Sequence, residues 1–325
     1  MKQYDPPALG EDERSLLDYL ELFALVSSTS RSQIMSLIDD IRVQLDDPDD
    51  EYGEDYVDED QIFAAIEARM KERQTALGAA YPFSLSDTGV EVEFHSGTAS
   101  PQASAYLACL IISFFRRLPG GWDHDLSDIE VEATQRIFQL VSTVALAGYV
   151  QGCAVSLGWP RREKEALLAA LVRAYAQGSS VQPLPIVSDY APPAAKDGGI
   201  DVLAWALPPP GGGQVSPRIV WGQVATGKNW QGKDASPDVE KFDRYFIASR
   251  PANSKETVTI IPFWRAEADI MRHVEAAHGF IMDRLTVARN FSIGLGLSQL
   301  GHYIDEAAQI AELQAWPAAV RARIA

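Results

Sequence analysis

The sequence predicts an α/β fold with a mainly helical N-terminal region, and three observations predict it. Apolar residues recur at three- and four-residue steps through the first half. After Trp159-Pro160 the texture turns to short β-branched runs broken by Pro and Gly, and helical spacing returns toward the end. The 325 residues, 46% hydrophobic and 22% charged, suit about two domains with sizeable cores. They exclude a disordered chain, a collagen-like fibre and a small disulfide scaffold. We divide the chain into a mainly helical region, 1–158, and an α/β core with C-terminal helices, 159–325.

The elements follow in order. Leu16, Leu17, Leu20 and Phe23 mark a first helix, Ile34, Leu37, Ile38 and Ile41 a second, and Ile62, Phe63, Ile66 and Met70 a third. Ser30 and Ser32 read as caps. Between the second and third helices, 10 of the 15 residues from Asp46 to Asp60 are acidic. This stretch is either a solvated loop or a phosphate mimic that screens a basic groove. Val90, Val92 and Phe94 around Gly89 form a strand or hairpin, and helical patterning resumes near Pro101, through the apolar run Tyr106–Phe115.

From Ile137 to Pro160 no residue is charged, and Gly148 and Gly152 have the spacing of membrane helix pairs. The polar Gln139, Ser142, Thr143, Gln151 and Ser156, with the glycines, favour a buried helix in a soluble core. A helix over Glu163–Gln177 precedes strands at Leu184–Val187, Ile200–Ala206 and Arg218–Thr226, the last two joined by a turn region at Pro208–Gly213. Pro237–Ser249 reads as a helix with Val239, Phe242, Tyr245 and Phe246 on its apolar side, and Thr257–Phe263 as a strand. Helices at Ala266–Asn290 and Leu297–Leu313 complete the chain.

The net charge of −17 argues against bulk electrostatic capture of nucleic acid, but it is unevenly spread. Residues 1–180 hold 30 acids and 14 bases, and residues 181–325 hold 15 acids and 14 bases. The C-terminal part alone suits a polyanion. Cys109 and Cys153 lie in apolar runs, as buried hydrophobes rather than a bridge or zinc ligands. The acidic, proline-bearing start lacks the basic and apolar segments of a secretory signal, so a cytoplasmic protein is expected.

Chemistry concentrates in Lys196-Asp-Gly-Gly-Ile-Asp-Val202 and Ile219-Val-Trp-Gly-Gln-Val-Ala-Thr-Gly-Lys-Asn-Trp230. Phosphodiester hydrolysis needs a hard divalent cation on oxygen ligands and a cationic group near the phosphate. Asp201 at the start of one strand and Gln223 within the next offer oxygens from one sheet face if the hairpin register aligns them, with Lys228 close behind.

At these residues, over roughly 160–265, the sequence resembles the PD-(D/E)XK nuclease superfamily and its Mrr-like restriction endonucleases, whose sites pair a Gly-Gly-Ile-Asp strand with a Gln-x-Lys strand. The resemblance implies a restriction-endonuclease-like core, a DNA substrate and a Mg²⁺ or Mn²⁺ cofactor. It also implies a role in bacterial anti-phage defence, beside a protein partner encoded nearby or as a homo-oligomer. Asp201 takes the place of the metal-binding aspartate, Gln223 that of the Gln replacing the commoner Glu, and Asp197 that of a second carboxylate. Glu163 or Glu165 stands for the acid of the preceding helix. The family's lysine position is occupied by Ala225: either the lysine has moved to Lys228, with Gly227 allowing the turn, or catalysis is lost and a nucleic-acid or partner-binding module remains. A neutral Gln also removes one charge from the cation's cage and weakens its hold.

Lys233, Lys241 and Arg244 are the candidate DNA contacts. A competing reading takes Gly222–Lys228 as a phosphate-binding P-loop, although Asn229 replaces its hydroxyl residue. His273 and His278, five apart, lack zinc-pair spacing and read as ordinary helix residues, and Asp123-His-Asp125 reads as a helix entry.

Overall fold

The computed structural model describes residues 13–45, 58–97, 100–117, 131–158, 161, 166–191, 198–207, 216–227, 230–232, 235–251, 256–264, 275–276 and 278–324. It is α/β, with helices leading. Helices α1 (Glu13–Val26), α2 (Ile34–Leu45) and α3 (Glu59–Leu77) follow the apolar spacing of the sequence. Asp58 caps α3 through its carboxylate, which accepts from Gln61 N at 3.1 Å, so the acidic stretch ends as a helix start. Its residues 46–57 lie outside the described residues. Strand β1 (Arg31–Gln33) covers the expected cap Ser32 and pairs with β3 (Glu91–Phe94), which pairs with β2 (Phe83–Leu85) around Gly89. Helix α4 (Pro101–Arg117) holds the run from Tyr106.

The uncharged segment 137–160 is not one helix. A single π-helical turn leads into α5 (Phe138–Val150), and Gln151 turns left-handed at φ 56°. Gly152 then lets the chain press against the Trp205 carbonyl, which a Cβ there would meet at 2.1 Å. Strand β4 (Cys153–Ser156) follows. No helix among the described residues is long and apolar enough to cross a membrane.

After α6 (Leu167–Ala176), the expected strand at Leu184–Val187 is replaced by a short β5 (Gln182–Pro183), paired with β8 (Ile247–Ser249). Strands β6 (Val202–Ala206), β7 (Arg218–Val224) and β9 (Glu256–Ile260) arise where the short β-branched runs between Pro and Gly place them, with α7 (Ala235–Phe246) between the last two. The expected helix 266–290 is interrupted: Gly279, at φ 78°, ends it, and strand β10 (Phe280–Met282) precedes α8 (Arg284–Gln299). The expected helix 297–313 breaks at Gly301, φ 92°, and α9 (Ile310–Ile324) closes the described chain.

The main sheet has the order β10-β9-β7-β6-β4. β4, β6 and β7 are antiparallel neighbours, and β7, β9 and β10 are parallel. Thus β4, from before residue 158, is the edge strand of the sheet in the second half. Val202, Ala204, Val220, Val258 and Met282 face α5, α8 and the N-terminal helices in one core cluster. Leu203, Trp205, Ile219 and Trp221 face the opposite side, with Val239, Phe242 and Phe246 of α7. α5 and α8 cross at glycines: a Cβ on Gly148 would fall 1.9 Å from the Asn290 oxygen, and one on Gly294 2.0 Å from that of Val144.

A buried ionic knot joins the two halves. Asp18 of α1 accepts from both ends of the Arg284 guanidinium, at 2.6 and 2.8 Å, and from Arg73 at 2.7 Å. Arg73 also pairs with Glu21 at 2.8 Å, and Tyr106 donates to Glu21 at 2.6 Å. Burial depresses the Arg73 pKa, but Glu21, Tyr106 and Asp18 outweigh it and hold that guanidinium charged. Cys109 and Cys153 are free and buried, and burial pushes the Cys109 thiol up to about 12.

Candidate active site

The β6–β7 register pairs Val202 with Gly222, so one step back Asp201 stands opposite Gln223. Both continue the row of Leu203, Trp205 and Trp221, on the sheet face covered by α7. The juxtaposition expected of the hairpin is therefore present.

The Asp201 backbone is tightly fixed. Its N–H donates to Gly222 O at 2.9 Å, and its carbonyl accepts from Leu157 N at 2.7 Å, Gly158 N at 2.9 Å and Gln139 Nε2 at 2.7 Å. Gln139 comes from the first turn of α5 and also reaches Ser156 Oγ at 3.0 Å, tying helix, edge strand and site together. The Asp201 carboxylate turns back along β7, where Oδ2 accepts from Val224 N at 2.7 Å.

Gln223 is 7% exposed. Its Nε2 donates to Gly199 O and to Asp238 Oδ2, both at 3.2 Å. Turning the amide over would set Oε1 against two acceptors, so its orientation is fixed. Oε1 is then left buried without a hydrogen-bond donor, an arrangement that costs about 1–3 kcal/mol unless a ligand satisfies it. An amide oxygen and a carboxylate are both ligands that a hard cation takes, and here they stand on facing strand positions. With one formal charge between them, such a cation would keep most of its waters.

Asp238 lies in the first turn of α7, where a carboxylate suits the helix dipole. Gly198 and Gly199 both have positive φ, 63° and 84°, and a Cβ on Gly199 would meet Asp238 Oδ2 at 2.5 Å. The double-glycine turn is thus a cradle for that carboxylate. The other oxygen of Asp238 accepts from Lys241 at 2.9 Å, and this hydrogen bond raises the Lys241 pKa. Lys241 is 58% exposed and Arg244 is exposed near the end of α7. Both are open to a polyanion, since an exposed pair holds an ammonium by ~1 kcal/mol or less.

The polar row continues onto β9, where Thr259 lies beside Gln223. Buried His278 donates its Nε2–H to Gln231 O at 2.9 Å, since a carbonyl can only accept, and its Nδ1 lies 3.4 Å from Thr259 Oγ1. His278 thereby pins the turn Trp230–Gly232 to the sheet. Ala225 is fully buried with Trp230, Ile261, Phe263 and Ile281, so the position two after Gln223, where the resemblance expects a lysine, is closed by an apolar cluster. Asp197, Glu163, Glu165, Lys228, Lys233, Asp123-His-Asp125 and His273 lie outside the described residues. Gly222 pairs with both β6 and β9, Gln223 and Val224 pair with β9, and the Val224 N–H is held by the Asp201 carboxylate, so these positions are extended strand and not a phosphate-binding loop. Among the described residues no group of three His, Cys, Asp or Glu side chains forms a metal cage.

Sequence reasoning does not single out Asp238, Thr259, His278 or Gln139 as site residues. Asp238 left one faint signal, an acid three residues before Lys241 in the first turn of an expected helix. No protein-family model, curated protein or solved structure matches the chain.

Proposed function

We propose that the chain is a metal-dependent nuclease that cuts DNA, using Mg²⁺ or Mn²⁺ held by Asp201 and Gln223, in defence against foreign DNA. The observation that carries this reading is the orphaned, buried Oε1 of Gln223, on the strand position opposite Asp201. The Mrr-like pattern of Gly198–Asp201 and Gln223 supports it independently. When bound, the cation supplies neutralisation of phosphate charge and a more acidic attacking water. The chain's own groups hold the geometry. Three donors fix the Asp201 carbonyl, so its carboxylate starts from an immobile anchor. Gln223 adds an oxygen of set direction, and Asp197 is the second carboxylate available to the cation. Lys228 is the cation assigned to the charge that develops on the phosphorane. Lys241, Arg244 and Lys233 guide the DNA backbone, steering that the near-neutral C-terminal half permits.

One observation favours a second reading, a nuclease-derived module that binds DNA or a partner protein without cutting. Position 225 is closed by Trp230, so any catalytic ammonium must come from elsewhere. The two readings separate in one assay of the full chain with plasmid and linear DNA under Mg²⁺, Mn²⁺ or EDTA. The nuclease reading expects metal-dependent cutting that falls at least ~100-fold in both Asp201→Ala and Lys228→Ala. DNA retention without cutting under any metal selects the module. ATP turnover that disappears in Lys228→Ala would return the P-loop to favour.

A further inference from the structure

A neutral amide is an unusual choice where a strand residue faces a divalent cation, and the surroundings of Gln223 account for it. Nε2 meets two acceptors, Gly199 O and Asp238 Oδ2, each at 3.2 Å. A glutamate at 223 has no proton for either of them and would oppose a second carboxylate across that gap. Glutamine satisfies both acceptors and leaves Oε1, buried and without a donor, as the ligand oxygen. The chain also keeps Asp238 in place by independent means. Gly199 leaves space that any Cβ would take from Oδ2, and Lys241 holds Oδ1 at 2.9 Å.

We propose that Asp238 is the positioning residue of the site: it locks the Gln223 amide with Oε1 free for the cation. Its consequence for the cation rests on the metal-dependent reading above, whereas the hydrogen-bonded pair stands on geometry alone. Exchanging the two groups tests the match. In Gln223→Glu/Asp238→Asn the carboxylate moves to the strand and the amide to the helix, and the amide of residue 238 donates to the new carboxylate.

The experiment uses the full chain and two readouts. Thermal unfolding in EDTA compares the wild type, Gln223→Glu, Asp238→Asn and the exchanged double variant. We expect Gln223→Glu to lower Tm by about 3 °C or more, and the added Asp238→Asn to return most of that loss. Additive losses overturn the pair. Calorimetric titration with Mn²⁺ then compares the wild type, Asp238→Ala and Asp238→Asn. We expect Asp238→Ala to weaken Mn²⁺ binding at least ~10-fold, a loss typical of residues that orient metal ligands. Asp238→Asn, which keeps an acceptor for Nε2, recovers most of it. Mn²⁺ binding unchanged in Asp238→Ala overturns the positioning role. If the wild type binds no Mn²⁺ while the cycle in EDTA remains coupled, the pair stands and the metal-dependent reading fails with the cation half of this proposal.

Discussion

A lysine in place of Ala225 would have to enter a closed apolar cluster that includes Trp230. Ala225 is fully buried, and Trp230, Ile261, Phe263 and Ile281 close around it. An inserted lysine meets overpacking, which costs about 1–3 kcal/mol, and loss of hydration around its ammonium, which costs several more if the charge stays in the cluster. We expect Ala225→Lys to lower the free energy of unfolding in urea by about 3 kcal/mol or more. Adding Trp230→Ala should recover part of that loss by opening space for the stem. Wild-type stability in the single variant would show that the cluster yields easily. The comparison also bears on function, because the double variant restores the spacing of Gln-x-Lys on the strand. Metal-dependent cutting that appears only in the double variant would indicate that Lys228 does not replace the missing group.

Helix α5 positions Gln139 over the Asp201 carbonyl, and what positions α5 is its crossing with α8. At Gly148 and Gly294 the obstacle to a Cβ is backbone, so neither helix can yield by a side-chain rotation. We expect Gly148→Ala and Gly294→Ala each to cost about 2–3 kcal/mol in chemical denaturation. Gly296→Ala, on the same α8 but with open space around it, should instead gain up to ~1 kcal/mol from helix propensity. Equal effects at 294 and 296 would refute the close approach. The crossing also shows what the sequence could disclose. Short β-branched and aromatic runs between turn residues make β6 and β7 legible, and consecutive strands place Asp201 beside Gln223 by register alone. Asp238 was not legible, because only the packing of α7 on the sheet brings it to Gln223, and no period of the sequence encodes that distance. The uncharged run 137–160 suggests one buried helix because a buried strand and a buried helix are equally apolar; Gly152, pressed against the Trp205 carbonyl, marks where one gives way to the other.

Across the whole molecule, the helical region and the sheet are fastened by charge as well as by apolar contact. Asp18 in α1 and Arg284 at the start of α8 are 266 residues apart, yet form a bidentate pair inside the core. Arg284 Nε also donates to Pro262 O at 3.1 Å, so the knot reaches the segment that follows β9. Asp18, Glu21, Arg73 and Arg284 together sum to zero formal charge, and the balance decides what each deletion does. Asp18→Ala strands one positive charge among buried groups, which costs about 3–5 kcal/mol. Asp18→Ala/Arg284→Met removes one charge of each sign, leaves Arg73 with Glu21, and should recover more than half of that loss. Because the knot spans both halves, the loss should also spread beyond α1. Native-state hydrogen exchange of Asp18→Ala should show amide protection falling by similar factors in α1, β10 and α8. Loosening confined to α1 would mean that the helical region opens independently, and that apolar packing alone keeps β9 and β10, which flank the candidate site, in place.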